Sequence, residues 1–372
     1  MSENLDMFRS QYSEREREVE SRVRGLVFPG DTVARVRLRD IGRAVGVFPV
    51  GATNSIVDVA GVRVGHATVS DGLSVFSGAT AVVVDDVSPT ASLRAGMFVG
   101  NGFGKFVGAT QIAELGQVET PIVLTSTLSA FRAADAIVTW VLRTHGRRLT
   151  SINPAVGEIN DSWLSAANPR PVTVDHVIAA IDSATAERVA MGNVGGGTGA
   201  CALGFKGGIG SSSRVVGLGR GPATIGVLVQ INMDGDLRAF GRTVRPADHG
   251  LPVAGPTTAD GSCVTVIAVD AAVDANMLRR LASRAIYALA RVGARFSHGS
   301  GDYALAVSTS RDPHPTTPSA AEMSSAFEAT MDAVEEAVLD ALLAADPVHS
   351  ANGNVAGTLP AAAITGGRDA AG

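Results

Sequence analysis

Apolar positions along the chain fall into two kinds of run. Short β-branched stretches bounded by Gly, Asp or Pro occur at residues 81–84, 121–125, 225–231, 264–269 and 303–308. Their length and flanks predict buried strands. Helical patterns lie between them. Phe327, Met331, Val334, Val338 and Leu342 form one apolar stripe, and Leu278, Leu281, Ala285 and Leu289 form another after the 264–269 run. A third helix is predicted over 174–180, with Thr173 as its N-cap, because a threonine hydroxyl can accept from a first-turn amide. The order lacks regular βαβ alternation, so the pattern predicts packed sheets with helices outside. No repeat of 20–50 residues is present.

The ends differ from the middle. Residues 1–33 carry the run Glu14-Arg15-Glu16-Arg17-Glu18 and few large apolar positions, which predicts a solvated, charged helical extension. Residues 34–360 read as a single folded domain, and residues 361–372, rich in Gly and Ala, as a flexible tail.

Composition narrows the function classes. Hydrophobic residues make up 45% and charged residues 18% of the 372, enough for a large core and unlike a disordered chain. The 31 Lys+Arg against 36 Asp+Glu give a net charge of -5, which argues against a nucleic-acid partner. No apolar run is long enough for a membrane span, and the first residues lack a secretion signal. Cys201 and Cys263 cannot build a disulfide framework, so a cytoplasmic, reducing location is expected.

Common catalytic signatures are missing: GxxxxGK[ST], HExxH, CxxC and GxSxG do not occur. The seven histidines show no metal-ligand spacing, so no metal and no cofactor are expected. Three segments are chemically suggestive. Gly261-Ser262-Cys263 opens the 264–269 run, which fits a rigidly held nucleophile and equally a turn serine. His298-Gly299-Ser300-Gly301-Asp302 puts a hydroxyl and a carboxylate on one side of an extended chain, or forms a Gly-rich turn. The glycines of 195–199 and 204–210, with Lys206 among them, suit an oxyanion or carboxylate cradle, or structural turns.

Together these segments resemble the P1 family of self-processing N-terminal-nucleophile hydrolases. That family includes the L-aminopeptidase/D-amidase-esterase, the β-peptidyl aminopeptidases and, more distantly, the nylon-oligomer hydrolases. The likeness is carried by Val36-Arg37-Leu38-Arg39-Asp40-Ile41-Gly42, the segment Asn54 to His66, Asn101-Gly102-Phe103-Gly104, Thr120-Pro121-Ile122, the glycine segment, Val229-Gln230-Ile231-Asn232, Gly261-Ser262, Ser300-Gly301-Asp302 and Phe327-Glu328-Ala329-Thr330. The resemblance implies an α+β fold, a four-layer α-β-β-α sandwich. It implies a precursor cut between Gly261 and Ser262 into 1–261 and 262–372, which stay associated, with the cleaved unit forming a homo-oligomer. The new α-amino group of Ser262 would act as base for its own hydroxyl. Ser300 and Asp302 would hold the α-ammonium, and Asn232 would donate to the oxyanion. The reaction implied is hydrolysis of small peptides or amides through an acyl-enzyme.

The chain departs from the family at two places. No Tyr stands in the segment Glu158-Ile159-Asn160-Asp161-Ser162-Trp163-Leu164, where Trp163 offers only an indole N–H. Lys105 stands where many relatives carry an acid that could hold a substrate ammonium. Trp163, Lys105 and Lys206 are therefore the candidate substrate-binding residues. An ω-amino-acid amide or ester hydrolase and a non-catalytic binding relative are the alternative readings. Cys263 is expected to be a small core residue.

Overall fold

The computed structural model describes residues 36–146, 148–165, 170–255 and 261–365. The charged extension at 1–33 and the last part of the tail, 366–372, lie outside these residues. In chain order the strands are β1 (Val62–Ser70), β2 (Phe76–Val84), β3 (Leu93–Gly102), β4 (Gln117–Val118), β5 (Ile122–Ser126), β6 (Ala155–Ile159), β7 (Cys201–Ala202), β8 (Phe205–Lys206), β9 (Gly208–Gly217), β10 (Pro222–Asn232), β11 (Leu237–Ala239), β12 (Arg242–Val244), β13 (Ser262–Val269), β14 (Gly301–Ser308), β15 (Val348–His349) and β16 (Val355–Ala356). The helices are α1 (Ala109–Leu115), α2 (Ala130–Thr144), α3 (Val174–Asp182), α4 (Ala275–Arg291), α5 (Ala320–Leu343) and α6 (Ala361–Thr365).

Two sheets carry the fold. One has six strands in the order β4-β3-β14-β13-β10-β9, the other four in the order β1-β2-β5-β6. Helices α4 and α5 cover the outer face of the six-stranded sheet, and α2 and α3 cover the four-stranded one. The layers are therefore α-β-β-α, as expected. Period-two alternation along β13 explains how it serves two cores at once. Val264, Val266 and Ala268 pack between the sheets, whereas Cys263, Ile267 and Val269 pack toward α4 and α5. Close packing of helix on sheet needs glycine at two points. A methyl group at Gly210 would run into Ala337 O of α5, and one at Gly96 into the amide of Arg279 in α4.

Four of the five sequence-predicted strands lie within observed ones, the fifth, 121–125, starts one residue before β5, and all three predicted helices form. Thr173 Oγ1 accepts from the His176 amide at 3.3 Å, as its N-cap role requires. The tail differs from expectation. Residues 361–365 form α6, and Ile364 is buried against the larger core, so an apolar side chain anchors what the composition reads as flexible.

A buried ionic network ties the segment before β1 to α5. Glu336, wholly buried, meets Arg39 at 2.7 Å and Arg214 at 2.6 Å, and the Asn54 amide donates to it at 2.6 Å. Arg37 pairs with Asp340 at 2.7 Å, and the Leu38 amide donates to the same carboxylate. Burial opposes ionisation of Glu336, but the Arg39 hydrogen bond and the Arg214 charge outweigh it and hold the carboxyl below its ordinary range.

Candidate active site

Strand register builds the site. β10 runs antiparallel to β13 and sets Asn232 directly opposite Ser262. β14 runs parallel to β13, which sets Gly301 beside Ser262 and Asp302 beside Cys263. The parallel pair is joined by α4, the long crossover that parallel neighbours require. Four distant positions thus meet at one end of the sheet: Ser262, Asn232, Ser300 and Asp302 are all buried, none more than 4% exposed.

The two faces of the sheet divide the chemistry. By alternation, Ser262 projects on the side of Val264 and Val266, toward the four-stranded sheet. Ser300 and Asp302 share the parity of Ala304 and Ala306, which face the helices. The Gly261–Ser262 peptide nitrogen lies in the plane between them. Gly261 is tightly enclosed on the helix side: a methyl group there would sit 3.2 Å from Ser300 Oγ, Met233 Cα and the Asp234 amide nitrogen.

Ser262 Oγ donates to Gly261 O at 2.6 Å. The Asn232 carboxamide is fixed at both ends. Its Oδ1 accepts from the Cys201 amide at 2.9 Å, and its Nδ2 donates to Asn160 O at 3.0 Å. A carboxamide nitrogen carries two hydrogens, so one N–H remains for a developing oxyanion.

Burial pushes the Asp302 carboxyl up to about 6; the Ser300 hydroxyl works against this and the neighbouring Asp234 charge adds to it. Asp302 Oδ2 is buried with no hydrogen-bond partner. The Asn101 side chain gathers the turn before β14 by donating to the carbonyls of Ser297, His298 and Ser300. Nearby, burial lifts the Asp161 carboxyl to about 7, although the Ser77 hydroxyl donates to it at 2.6 Å.

The other candidates fall in different places. Lys206 is wholly buried, and its ammonium donates to the carbonyls of Gly197, Ala200 and Gly207 at 3.3, 2.7 and 2.8 Å. No donor is left for a substrate, which corrects its assignment as a binding residue: three carbonyl acceptors are what make a buried lysine tolerable. Burial drops its pKa to about 8. The glycine cradle is likewise structural, since the amides of Gly195, Gly196 and Gly197 are taken by Thr68 Oγ1, Thr80 Oγ1 and Val194 O. Trp163 is half-buried against Leu164, Cys201 and Ala254. Lys105 is half-buried, donates to Thr127 Oγ1 at 2.6 Å and pairs with Glu158 Oε1 at 3.4 Å. Gly104, beside it, is close to Gly301, so this ion pair borders the nucleophile's neighbour strand. Cys263 is buried in the larger core, and burial raises its thiol well above the ordinary value.

Sequence reasoning missed Asp234 and Asn160. Asp234 sits in Met233-Asp234-Gly235, which reads as an ordinary turn, and Asn160 acts through its carbonyl, which no side-chain pattern announces.

A four-layer sandwich with a serine opening a central strand defines the class: a hydrolase of the N-terminal-nucleophile type. Comparison with known proteins agrees and goes further. The chain belongs to peptidase family S58, which it matches over residues 54–356. It is 34% identical to the β-peptidyl aminopeptidase BapA of Sphingosinicella microcystinivorans, over 92% of this chain and 94% of that one. A β-aminopeptidase from a Burkholderia species superposes with a TM-score of 0.80 at 34% identity, covering 88% of this chain and 97% of the other. The L-aminopeptidase D-Ala-esterase/amidase of Ochrobactrum anthropi, described as a variant of the N-terminal-nucleophile hydrolase fold, gives 0.76 at 29% identity, covering 88% and 96%. The protein is accordingly a peptide-bond hydrolase, an aminopeptidase or amidase, acting on peptide substrates. No helix among the described residues is long and apolar enough to cross a membrane.

Proposed function

We propose that the chain cuts itself between Gly261 and Ser262 and then uses the freed Ser262 to release N-terminal residues from small peptides or amides. The observation that carries this reading is the Ser262 hydroxyl donating to Gly261 O at 2.6 Å, beside Asn232. The hydroxyl is hydrogen-bonded to the very carbonyl whose carbon it must attack. In maturation, Oγ adds to that carbon, the C–N bond breaks, and the acyl group moves from nitrogen to oxygen. Water then hydrolyses the ester, leaving a carboxylate on Gly261 and an amino group on Ser262.

In turnover the neutral α-amine takes the hydroxyl proton, directly or through water, while Oγ adds to the substrate carbonyl. Asn232 Nδ2 donates to the oxyanion. The proton passes to the leaving amine, and water hydrolyses the acyl-enzyme. Ser300 and Asp302, on the other face of the sheet, hold the α-ammonium and orient it. The smaller fragment, 262–372, stays within the six-stranded sheet. Homo-oligomeric assembly fits the exposed Phe131 and Leu142 on α2, and a cytoplasmic location fits two free, buried cysteines.

The test is mass spectrometry with denaturing electrophoresis. Wild-type protein should give two fragments, the smaller beginning at Ser262, and Ser262→Ala should remain whole and inactive. A wild-type chain that stays whole would sink the reading.

One observation favours a second specificity. The Lys105 cation beside Glu158 disfavours a substrate ammonium close to the scissile carbonyl and favours one further away, as in ω-amino-acid amides. Ranking α-, β- and ω-aminoacyl anilides by kcat/KM separates the two, and a clear preference for α-aminoacyl anilides would reject this second reading.

A further inference from the structure

Two carboxylates stand beside the scissile bond, and neither makes an ion pair among the described residues. Asp302 is one. The other, Asp234, lies two residues past the end of β10, and its amide nitrogen is 3.2 Å from where a methyl group on Gly261 would be. Ser297 Oγ donates to Asp234 Oδ2 at 2.6 Å, and Ser297 O in turn accepts from the Ser300 amide at 2.9 Å, so both acids are fixed to one turn. Asp234 Oδ1 and Asp302 Oδ2 are both buried without a hydrogen-bond partner. Two neighbouring anions with unfilled acceptors are unfavourable unless a cation is supplied.

We propose that Asp234 is a second carboxylate seat, alongside Asp302, for the α-ammonium group that scission creates on Ser262. The inference rests on the self-processing reading. An ammonium has three N–H donors, and three acceptors are at hand: Ser300 Oγ, Asp302 Oδ2 and Asp234 Oδ1. The Gly261 carboxylate formed in the same step cannot serve, because it must vacate the place that the substrate acyl group then takes. Asp234 is held by Ser297 and stays.

Other titratable groups at this end of the sheet are Tyr303 on β14 and Cys263 on β13, both influenced by the Asp302 charge, Glu158 on β6, Asp161 just after it, His298 in the turn before β14, Lys105 after β3, Lys206 on β8, and Arg295, whose amide donates to Asp234 O and whose guanidinium pairs with Asp236. The two lysines are engaged, Lys105 with Glu158 and Lys206 with three carbonyls. An added anion beside the α-ammonium favours its charged form. The neutral amine that catalysis needs then appears only at higher pH, so Asp234 raises the acid limb of the rate profile.

The experiment measures self-cutting and the pH dependence of kcat/KM for wild type, Asp234→Asn and Asp234→Glu, with one aminoacyl anilide. In Asp234→Asn the acid limb should fall by about one pH unit, the effect of one charge a few ångströms away in a partly shielded site. Asp234→Glu should keep the wild-type limb. Loss of cutting in the Asn variant alone would assign the Asp234 charge to scission itself and overturn the proposal, since the ammonium does not yet exist at that step. Asn and Glu variants that behave alike in cutting and in pH profile would overturn it. A wild-type chain that never cuts is a different failure, one of the reading beneath.

Discussion

The protein buries charge in two regions, and it treats them in opposite ways. Against α5, Glu336 is met by Arg39 and Arg214, and Asp340 by Arg37. Beside Ser262, the Asp302 and Asp234 charges are neighbours, and each carboxylate keeps one buried oxygen without a hydrogen-bond partner. In the first cluster both carboxylates meet arginines, although Arg214 Nε has no partner and burial still lifts Asp340 to about 6, and these pairs fasten the chain entering the fold. The second has no cation among the described residues, and the proposed scission of the 261–262 bond would supply one. The difference teaches that buried charge points to function where its partner is missing, since pairing is what offsets the cost of desolvation elsewhere.

The comparison can be broken in three ways. Glu336→Gln should have the largest effect on folding, because it strands Arg214 in the core; urea unfolding should read a loss of about 3–5 kcal/mol, with turnover per folded molecule unchanged. Asn232→Ala should do the reverse. Losing one oxyanion donor lowers turnover about 100- to 1000-fold, about 2.7–4 kcal/mol, and unfolding should change far less. An Asn232→Ala enzyme with wild-type kcat would remove this residue from the oxyanion role.

The smallest effect concerns pH. In uncut Ser262→Ala, Asp302 titrates at about 6 in the folded chain against an ordinary 3.8, so burial favours its protonated form. Its stabilising contribution is full below 3.8 and is lost as pH rises through 6. Adding Asp302→Asn should abolish that part of the fall, about 1–3 kcal/mol between pH 4 and 6, in unfolding measured across the range. Asp161, raised to about 7, leaves a separate decline that persists in the double variant.

Much of the sandwich was legible in the sequence. The runs at 225–231, 264–269 and 303–308 are central, doubly covered strands, and such strands are apolar on both faces. β9 was not legible, because Ser211, Ser212, Ser213 and Arg214 look like surface residues. They are buried because each hydroxyl finds a partner: Ser211 on Val227 O, Ser212 on Ala333 O and Ser213 on Asp58. The same tertiary satisfaction misled the reading of Lys206. Ser262, the proposed nucleophile, and Asn232, Ser300 and Asp302 were visible only through their order along the chain and their family likeness. Asp234 was hidden by a turn-forming neighbour, since Asp-Gly signals a bend whatever else the carboxylate does.

β13 and β14 lie side by side in the middle of the six-stranded sheet, with β10 beyond one and β3 beyond the other. Every rung of pairing at those outer borders joins a residue before position 262 to Ser262 or a residue after it. Opening the backbone there severs the thread without unlacing the cloth. A piece beginning at Ser262 would be gripped along two edges by strands it no longer belonged to, so the molecule could gain a chain terminus in its interior and keep its shape.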